Sequence, residues 1–316
     1  MAKFRQNHKK EGRGRSFGST SSKKTSLKYI LWFVAITILM IVIKNIKSDS
    51  WESTDTESGY PNVTMSSEKG SEVDKNFLPI STTGTIVHHK HYSLSYDEEH
   101  EQAEWVAYKL TEQSLRAPNV KRAKRFNADR DIPSRSAVHS DYSHSGYTRG
   151  HLAPAGDMAF SIDAMQESFF MSNMSPQLRE FNGGIWRELE ETVRDWAFDH
   201  DELLIVTGPV LKPGHIVKQI GKKNKISVPD QFFKIILDNK GKKNAIAFLM
   251  PNELSTQPIK EYVVPIDEIE QLIGIDFFAD FLDEDEEQEL ESSTSTKAWK
   301  FDTKRFENRV RNWNKN

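Results

Sequence analysis

Three stretches of the chain concentrate polar side chains that a core does not need: SDYSHSGYTRGHLAPAGDM at 140–158, MSNMSPQLREFNGGIWRELE at 171–190 and KRAKRFNADRD at 121–131. In the first, Gly146 and Gly150 flank Tyr147, Thr148 and Arg149, and His151 precedes Leu152, Ala153 and Pro154. Glycine lets a backbone bend and approach a substrate closely, so the string reads as a tight, irregular strand that presents a side chain. An imidazole titrating near neutrality is suited to proton transfer, although a histidine held by a backbone carbonyl fits the same residues. Arg149 offers a planar fork that matches a phosphate, and an ion pair with Asp157 would also satisfy it. In the second stretch, Asn182 supplies a neutral amide oxygen suited to a hard cation, or simply caps a helix or makes the FNGG turn. Cysteine is absent, which excludes disulfides, thiolate zinc sites and cysteine nucleophiles, so any metal must be held by oxygen or imidazole.

Two of these strings, in this order, resemble the DNA/RNA non-specific endonuclease family, the ββα-metal or His-Me finger nucleases. Arg149, Gly150 and His151 in TRGHLAPAGDM match the family's Asp-Arg-Gly-His signature, and MSNMSPQLREFNGGIWRELE is similar to its second motif. The similarity runs from about Tyr92 to near the C-terminus, through WVAYKL, DYSHSGY and VTGPVL. The resemblance implies His151 as general base, with Asn182 as the protein ligand to Mg2+ (or Mn2+ or another divalent cation). Glu190 then accepts a hydrogen bond from a metal-bound water, with Glu188 and Glu191 as neighbouring alternatives. The fork of Arg149 suits a phosphate oxygen, and Arg122 or Arg125 could add a second positive contact, the other reading of 121–131 being a solvated basic face. Asn173 is a further substrate-side candidate, although with Gln177 it reads more as a brace for the loop. The implied reaction is metal-dependent hydrolysis of DNA and RNA phosphodiesters with little sequence preference, since readout through phosphates carries no base information. The alternatives are a nucleic-acid-binding or uptake module of the same fold, and a hydrolase of another phosphoester.

The chain departs from the signature at two places. Thr148 stands where the family has Asp, and Gly156 where it has Ala. Thr148 brings no negative charge, so orienting the motif falls to its hydroxyl or to another acid such as Asp141.

The elements that must position these residues are mixed. HYSLSYDEEH, WVAYKL and LLIVTGPVL read as strands, and FFKIILD and NAIAFLMP as two buried strands joined by a KGKK turn. In GIWRELEETVRDWAF (184–198), Ile185, Leu189, Val193 and Trp196 define one apolar helical face, and another helix is expected near Ile266–Leu272. Glu190 follows Asn182 by two turns and a fraction on such a helix, so both project toward roughly one side. Strands and helices without strict βαβ alternation predict an α+β fold, a central antiparallel sheet flanked by helices, over 86–312. The acidic run DEDEEQELES at 283–292 reads as solvated, because it lacks the glycine and alternating ligands of a calcium loop. His88, His89 and His91 form an exposed-looking cluster with no carboxylate at strand spacing, read as incidental.

The N-terminal part differs in kind. The uncharged segment YILWFVAITILMIVI (29–43), bracketed by Lys28 and Lys44, predicts one transmembrane anchor over 27–47, with flanking lysines reaching the headgroups. Nine Lys/Arg precede it, which predicts a cytoplasmic basic tail (1–26) and a nuclease domain outside the cytoplasm. Residues 48–85 read as a flexible tether. The formal charge of -3 hides an asymmetry: residues 48–316 carry 32 basic against 45 acidic side chains. A protein that coats nucleic acid through uniform positive charge is thereby excluded, and phosphate contact must come from a local basic patch or a metal. The partners expected are DNA, RNA and a lipid bilayer, with a homodimer also compatible.

Overall fold

Runs of β-branched and aromatic residues build the centre of the molecule. The computed structural model describes residues 74–80, 82–240 and 243–315. Its main sheet contains β1 (Thr85–His88), β2 (Tyr92–Asp97), β3 (Gln102–Thr111), β6 (Glu202–Pro209), β9 (Gln231–Asp238), β10 (Asn244–Pro251) and β11 (Val263–Val264). The order is β1-β2-β3-β6-β9-β10-β11, with all neighbours antiparallel. This is the antiparallel α+β arrangement that the sequence pattern predicts. Residues 241–242 of the KGKK turn lie outside the described residues.

Helices cover both faces of the sheet, which explains why β3 is buried along nearly its whole length instead of alternating. On one face Val106, Tyr108, Leu110, Ile205, Ile236 and Phe248 pack against Leu189, Val193 and Trp196 of the long helix Arg187–His200. On the other, Trp105, Ala107, Val206, Ile235 and Leu237 pack against Ile266, Ile269 and Ile273 of the helix Ile266–Ile273. The apolar stripe predicted from Ile185 to Trp196 is buried throughout. Truncating one such residue, Leu189→Ala, would cost about 2–5 kcal/mol.

The polar motifs lie outside this sheet. β4 (Thr148–His151) and β5 (Met174–Gln177) form a separate antiparallel pair, Thr148 facing Gln177 and His151 facing Met174, and β7 (Ile216–Ile220) and β8 (Ile226–Pro229) form another. The chain then enters a helical turn, Arg179–Phe181, a π-helical segment, Asn182–Trp186, and the helix Arg187–His200. Gly184 breaks the helical path at φ -104° and ψ -109°. The wide turn changes the phase of the helix just after Asn182, and such bulges recur at functional sites.

Several expectations change. Ordered structure begins before residue 86: Phe77 is fully buried and Ile80 pairs with Asp276, so apolar residues at the end of the expected tether belong to the core. At the other end, Arg309 is fully buried, ion-paired with Glu188, and donates to the carbonyls of Ser255 and Gln257. The helix Thr303–Arg311 is therefore part of the body, inside the 86–312 range expected from the sequence. The histidine cluster is not exposed in the way its sequence suggests. His89 Nε2 lies 2.9 Å from the Asp129 carboxylate and His91 Nδ1 2.8 Å from Glu167, partners 40 and 76 residues away. No helix among the described residues is long and apolar enough to cross a membrane, and the expected tail (1–26), anchor (27–47) and all of the tether before residue 74 lie outside them.

Candidate active site

His151 ends β4 and is 8% exposed. The edge of the Phe169 ring packs on it at 4.9 Å, and Phe126 lies 6.0 Å away. These two phenylalanines touch each other at 4.9 Å and carry two guanidinium groups, Arg149 at 4.9 Å over Phe126 and Arg122 at 5.1 Å over Phe169. One aromatic pair thus orients a histidine and two arginines. Burial, with the positive charge of Arg122 adding to it, pulls the imidazole down to about 3. His151 is therefore neutral across the physiological range, and its enclosed Nε2 has no hydrogen-bond partner. The carbonyl hold on the ring that the sequence allowed is not seen at this nitrogen.

Arg149 has no carboxylate partner among the described residues, and its Nε is enclosed without a hydrogen bond. The pairing with Asp157 that the sequence allowed is replaced by another. Asp157 accepts from Arg194 at 2.8 Å and from the Tyr108 hydroxyl at 2.9 Å. Of the two arginines left open in 121–131, Arg122 joins the cluster, while Arg125 is exposed and has no ion pair or ring contact among the described residues. The segment is pinned by Asp129, which also accepts from Ser172 at 2.5 Å. Burial raises that carboxyl, but the hydrogen bonds from His89 and Ser172 outweigh it and hold it below the usual carboxylate range.

Asn182 is held by the residue that departs from the signature. Its Nδ2 donates to Thr148 Oγ1 at 2.8 Å, and that hydroxyl donates to the Gln177 carbonyl at 2.9 Å. Because the hydroxyl proton is committed to Gln177, Thr148 can only accept from the amide, and Oδ1 of Asn182 has no hydrogen bond to protein among the described residues. Asp141 takes no part, since it bonds to Asn224 and the Val138 amide. Of the two readings of Asn173, the hydrogen bonds favour the brace over the substrate contact. Asn173 is fully buried, its Oδ1 accepts from Ala153 N–H and its Nδ2 donates to the carbonyls of Ala153 and Ser168, so it braces the loop after β4 and cannot meet substrate.

Among the three neighbouring acids the structure discriminates. Glu188 is taken by Arg309, and Glu191 pairs with Arg187 at 2.8 Å and with Arg305 at 3.4 Å. Glu190 has no hydrogen bond to protein among the described residues. Burial pushes its carboxyl up, while Arg194, Lys234 and Arg122 pull it back toward the charged form. Arg122 therefore acts on Glu190 as well as on His151. An amide oxygen and a carboxylate without protein partners are a donor set that fits a hard divalent cation.

The comparisons with known proteins decide the class. The description DNA/RNA non-specific endonuclease matches residues 69–284. The chain belongs to this family. A nuclease from Syncephalastrum racemosum is 35% identical over 257 residues, 73% of this chain and 78% of that protein. Mitochondrial endonuclease G of Homo sapiens is 32% identical over 203 residues, 60% of this chain and 68% of that protein. The mitochondrial nuclease EXOG of Danio rerio is 33% identical over 199 residues, 58% of each, so the chain spans less than two thirds of that relative. A crystal structure of an EndoG/EndoGI complex superposes with a TM-score of 0.58 at 32% identity, covering 64% of this chain and 88% of that one.

For a member of the non-specific endonuclease family, several residues around the site escaped the sequence reading. Phe126 and Phe169 looked like ordinary apolar residues, and nothing in their spacing links them to His151. Lys234 is fully buried in β9, its Nζ lying 5.0 Å from the centre of the Trp186 ring and making no hydrogen bond. A lysine inside FFKIILD was the available signal, since an apolar strand rarely buries one without a charge to answer it. Burial lowers its pKa, and Glu190 and Asp157 oppose that shift.

Proposed function

We propose that the chain is a metal-dependent endonuclease that hydrolyses DNA and RNA with little sequence preference, tethered to a membrane through residues 27–47. The observation that carries the catalytic part is the Thr148–Asn182 hydrogen bond. It leaves an amide oxygen free on the π-helical segment that follows the His151 hairpin, with the unpartnered Glu190 carboxylate on the next element, the helix Arg187–His200.

Asn182 Oδ1 would hold the cation directly, and Glu190 would accept a hydrogen bond from one of its waters. A divalent cation there supplies charge stabilisation for the phosphate oxygens and the leaving group. The unpaired guanidinium groups of Arg149 and Arg122 receive the phosphate of the backbone. His151, neutral before substrate arrives, takes the proton of the attacking water. Its basicity in the free protein is weak because burial and Arg122 disfavour the imidazolium. A phosphate seated on Arg122 cancels part of that positive charge, which raises the imidazole toward a useful pKa at the moment the base is needed. Contacts to phosphate alone carry no sequence preference.

Supercoiled plasmid and a structured RNA, each incubated with Mg2+, test this reading. Wild type should cut both, and His151→Ala should lower the rate by about 100-fold to 10,000-fold. Equal inactivity of the two proteins would overturn the enzyme assignment. The tether is tested separately. The full chain should stay with membranes in high salt, and deleting residues 1–47 should release an active nuclease.

A further inference from the structure

A second cluster lies on the face of the sheet opposite the helix Arg187–His200, around the helices Ile266–Ile273 and Glu284–Glu291. Carboxylate oxygens of Asp267, Glu270 and Glu291 all lie within 4.8 Å of one another, and so do those of Asp276, Glu287 and Glu291. Glu291 is common to both groups. It is only 6% exposed, and its Oε1 is enclosed without any hydrogen-bond partner. None of the five acids forms an ion pair among the described residues; Lys243, which reaches the helix Glu284–Glu291, pairs with Glu286 instead. One contact organises the group from inside, the Phe277 N–H donating to Glu270 Oε1 at 2.8 Å, which leaves the other oxygen of Glu270 available.

We propose that these five carboxylates bind a divalent cation, and that the ion is Ca2+. A buried carboxylate oxygen with no donor is costly unless a proton or a cation meets it. Acids converging from two helices and the intervening Asp276 suit Ca2+, which accepts about 6–8 oxygens in flexible geometry. Mg2+ demands a tighter octahedron and retains its waters, so a dense carboxylate cage selects against it. The acidic run 283–292 is not a calcium loop, as its sequence shows. Two of its residues, Glu287 and Glu291, stand one helical turn apart and supply one wall of a site that only the tertiary fold completes. The ion would clamp the two helices together. It would also fix Asp276, whose carbonyl accepts from the Ile80 amide at 2.9 Å and so ties the N-terminal approach to the body.

The competing occupant is a proton. Burial, followed by the negative charges of Glu270, Glu287, Asp267 and Asp276, pushes Glu291 up to about 9, so without a cation this carboxyl is neutral near pH 7. Thermal unfolding of the full chain, stripped with EDTA and titrated with CaCl2 or MgCl2 near neutral pH, separates the two. At Ca2+ about 100-fold above its dissociation constant, the midpoint should rise by about 5 °C or more, with MgCl2 giving less. Asn182→Ala should keep the Ca2+-dependent rise, because it removes the ligand of the catalytic site only. Glu291→Gln and Glu287→Gln should each weaken apparent Ca2+ affinity at least about 10-fold. Should Glu291→Gln fail to fold, the less buried Glu287→Gln decides. The proposal is overturned if Asn182→Ala abolishes the rise, if Glu287→Gln leaves it intact, or if Ca2+ has no effect while mild acid alone stabilises the chain.

Discussion

Replacing Thr148 by valine keeps the shape of the side chain and removes its hydroxyl, which isolates what that oxygen does. It accepts from Asn182 Nδ2 at 2.8 Å and donates to the Gln177 carbonyl at 2.9 Å. Losing two partly buried hydrogen bonds should cost about 1–3 kcal/mol of stability. The larger effect falls on the proposed cation, because the amide of Asn182 is then free to rotate and Oδ1 is no longer fixed. Loss of a group that orients a metal ligand typically costs about 10-fold to 100-fold in metal affinity. Plasmid nicking measured over a Mg2+ titration, after EDTA treatment, should therefore show half-saturation about 10-fold to 100-fold higher for Thr148→Val. The rate at saturating Mg2+ should stay within about 3-fold of wild type, since His151 is untouched. Thr148→Ser, which restores the hydroxyl, should titrate like wild type. An unchanged Mg2+ dependence in Thr148→Val, or a serine variant as impaired as the valine one, would refute the assigned role of the hydroxyl.

Three further outcomes follow from the geometry. A Cβ at Gly150 would lie 2.0 Å from the Gln177 Oε1, so Gly150→Ala should force β4 from β5, lower stability by about 1–3 kcal/mol in urea unfolding and reduce nicking with it. His151 is held near 3 in the folded chain against about 6.5 when unfolded, so between these values the unfolded state binds the extra proton. Stability should therefore fall by about 1.4 kcal/mol per pH unit as pH drops from 6.5 toward 3, and comparing urea unfolding of His151→Asn with wild type over that window should show the slope reduced by this amount. Arg309→Ala leaves the buried Glu188 carboxylate without its partner and should destabilise the chain by about 3–5 kcal/mol by thermal unfolding, although residue 309 lies beyond the matched family region.

The part of the architecture that was legible in the sequence rested on local periodicity. Alternating or continuous apolar runs located β3, β6, β9 and β10, and the spacing of Ile185, Leu189, Val193 and Trp196 located the helix behind the site. The sequence also singled out His151 and Asn182 as candidates, because their neighbours form strings that a core does not explain. What escaped depends on pairing across long separations. The His89–Asp129 and Glu188–Arg309 partnerships span 40 and 121 residues, and neither end announces the other. Asn173 could not be separated from a substrate ligand by residue type, since the same amide serves either purpose and only its saturated, buried hydrogen bonds show that it braces the loop. The acidic run 283–292 is mostly solvated as its composition suggests, but composition does not reveal that Glu291 turns inward toward Asp267 and Asp276.

At position 148 a threonine stands where the family signature has Asp, and its two hydrogen bonds show what a hydroxyl does there. A carboxylate there could accept from Asn182, but it would face the Gln177 carbonyl oxygen with no proton to offer. The threonine hydroxyl does both tasks at once, accepting from the amide and donating to the carbonyl. What is given up is a negative charge beside Asn182, the proposed cation ligand, and in the proposed site Glu190, a carboxylate with no hydrogen bond to protein among the described residues, would supply the charge instead. On this argument the two positions are coupled: Glu190→Gln should be more damaging to Mg2+ dependence in this chain than in a relative that carries Asp at the position of Thr148. Equal sensitivity in the two proteins would mean that the lost charge was never part of the cation's environment.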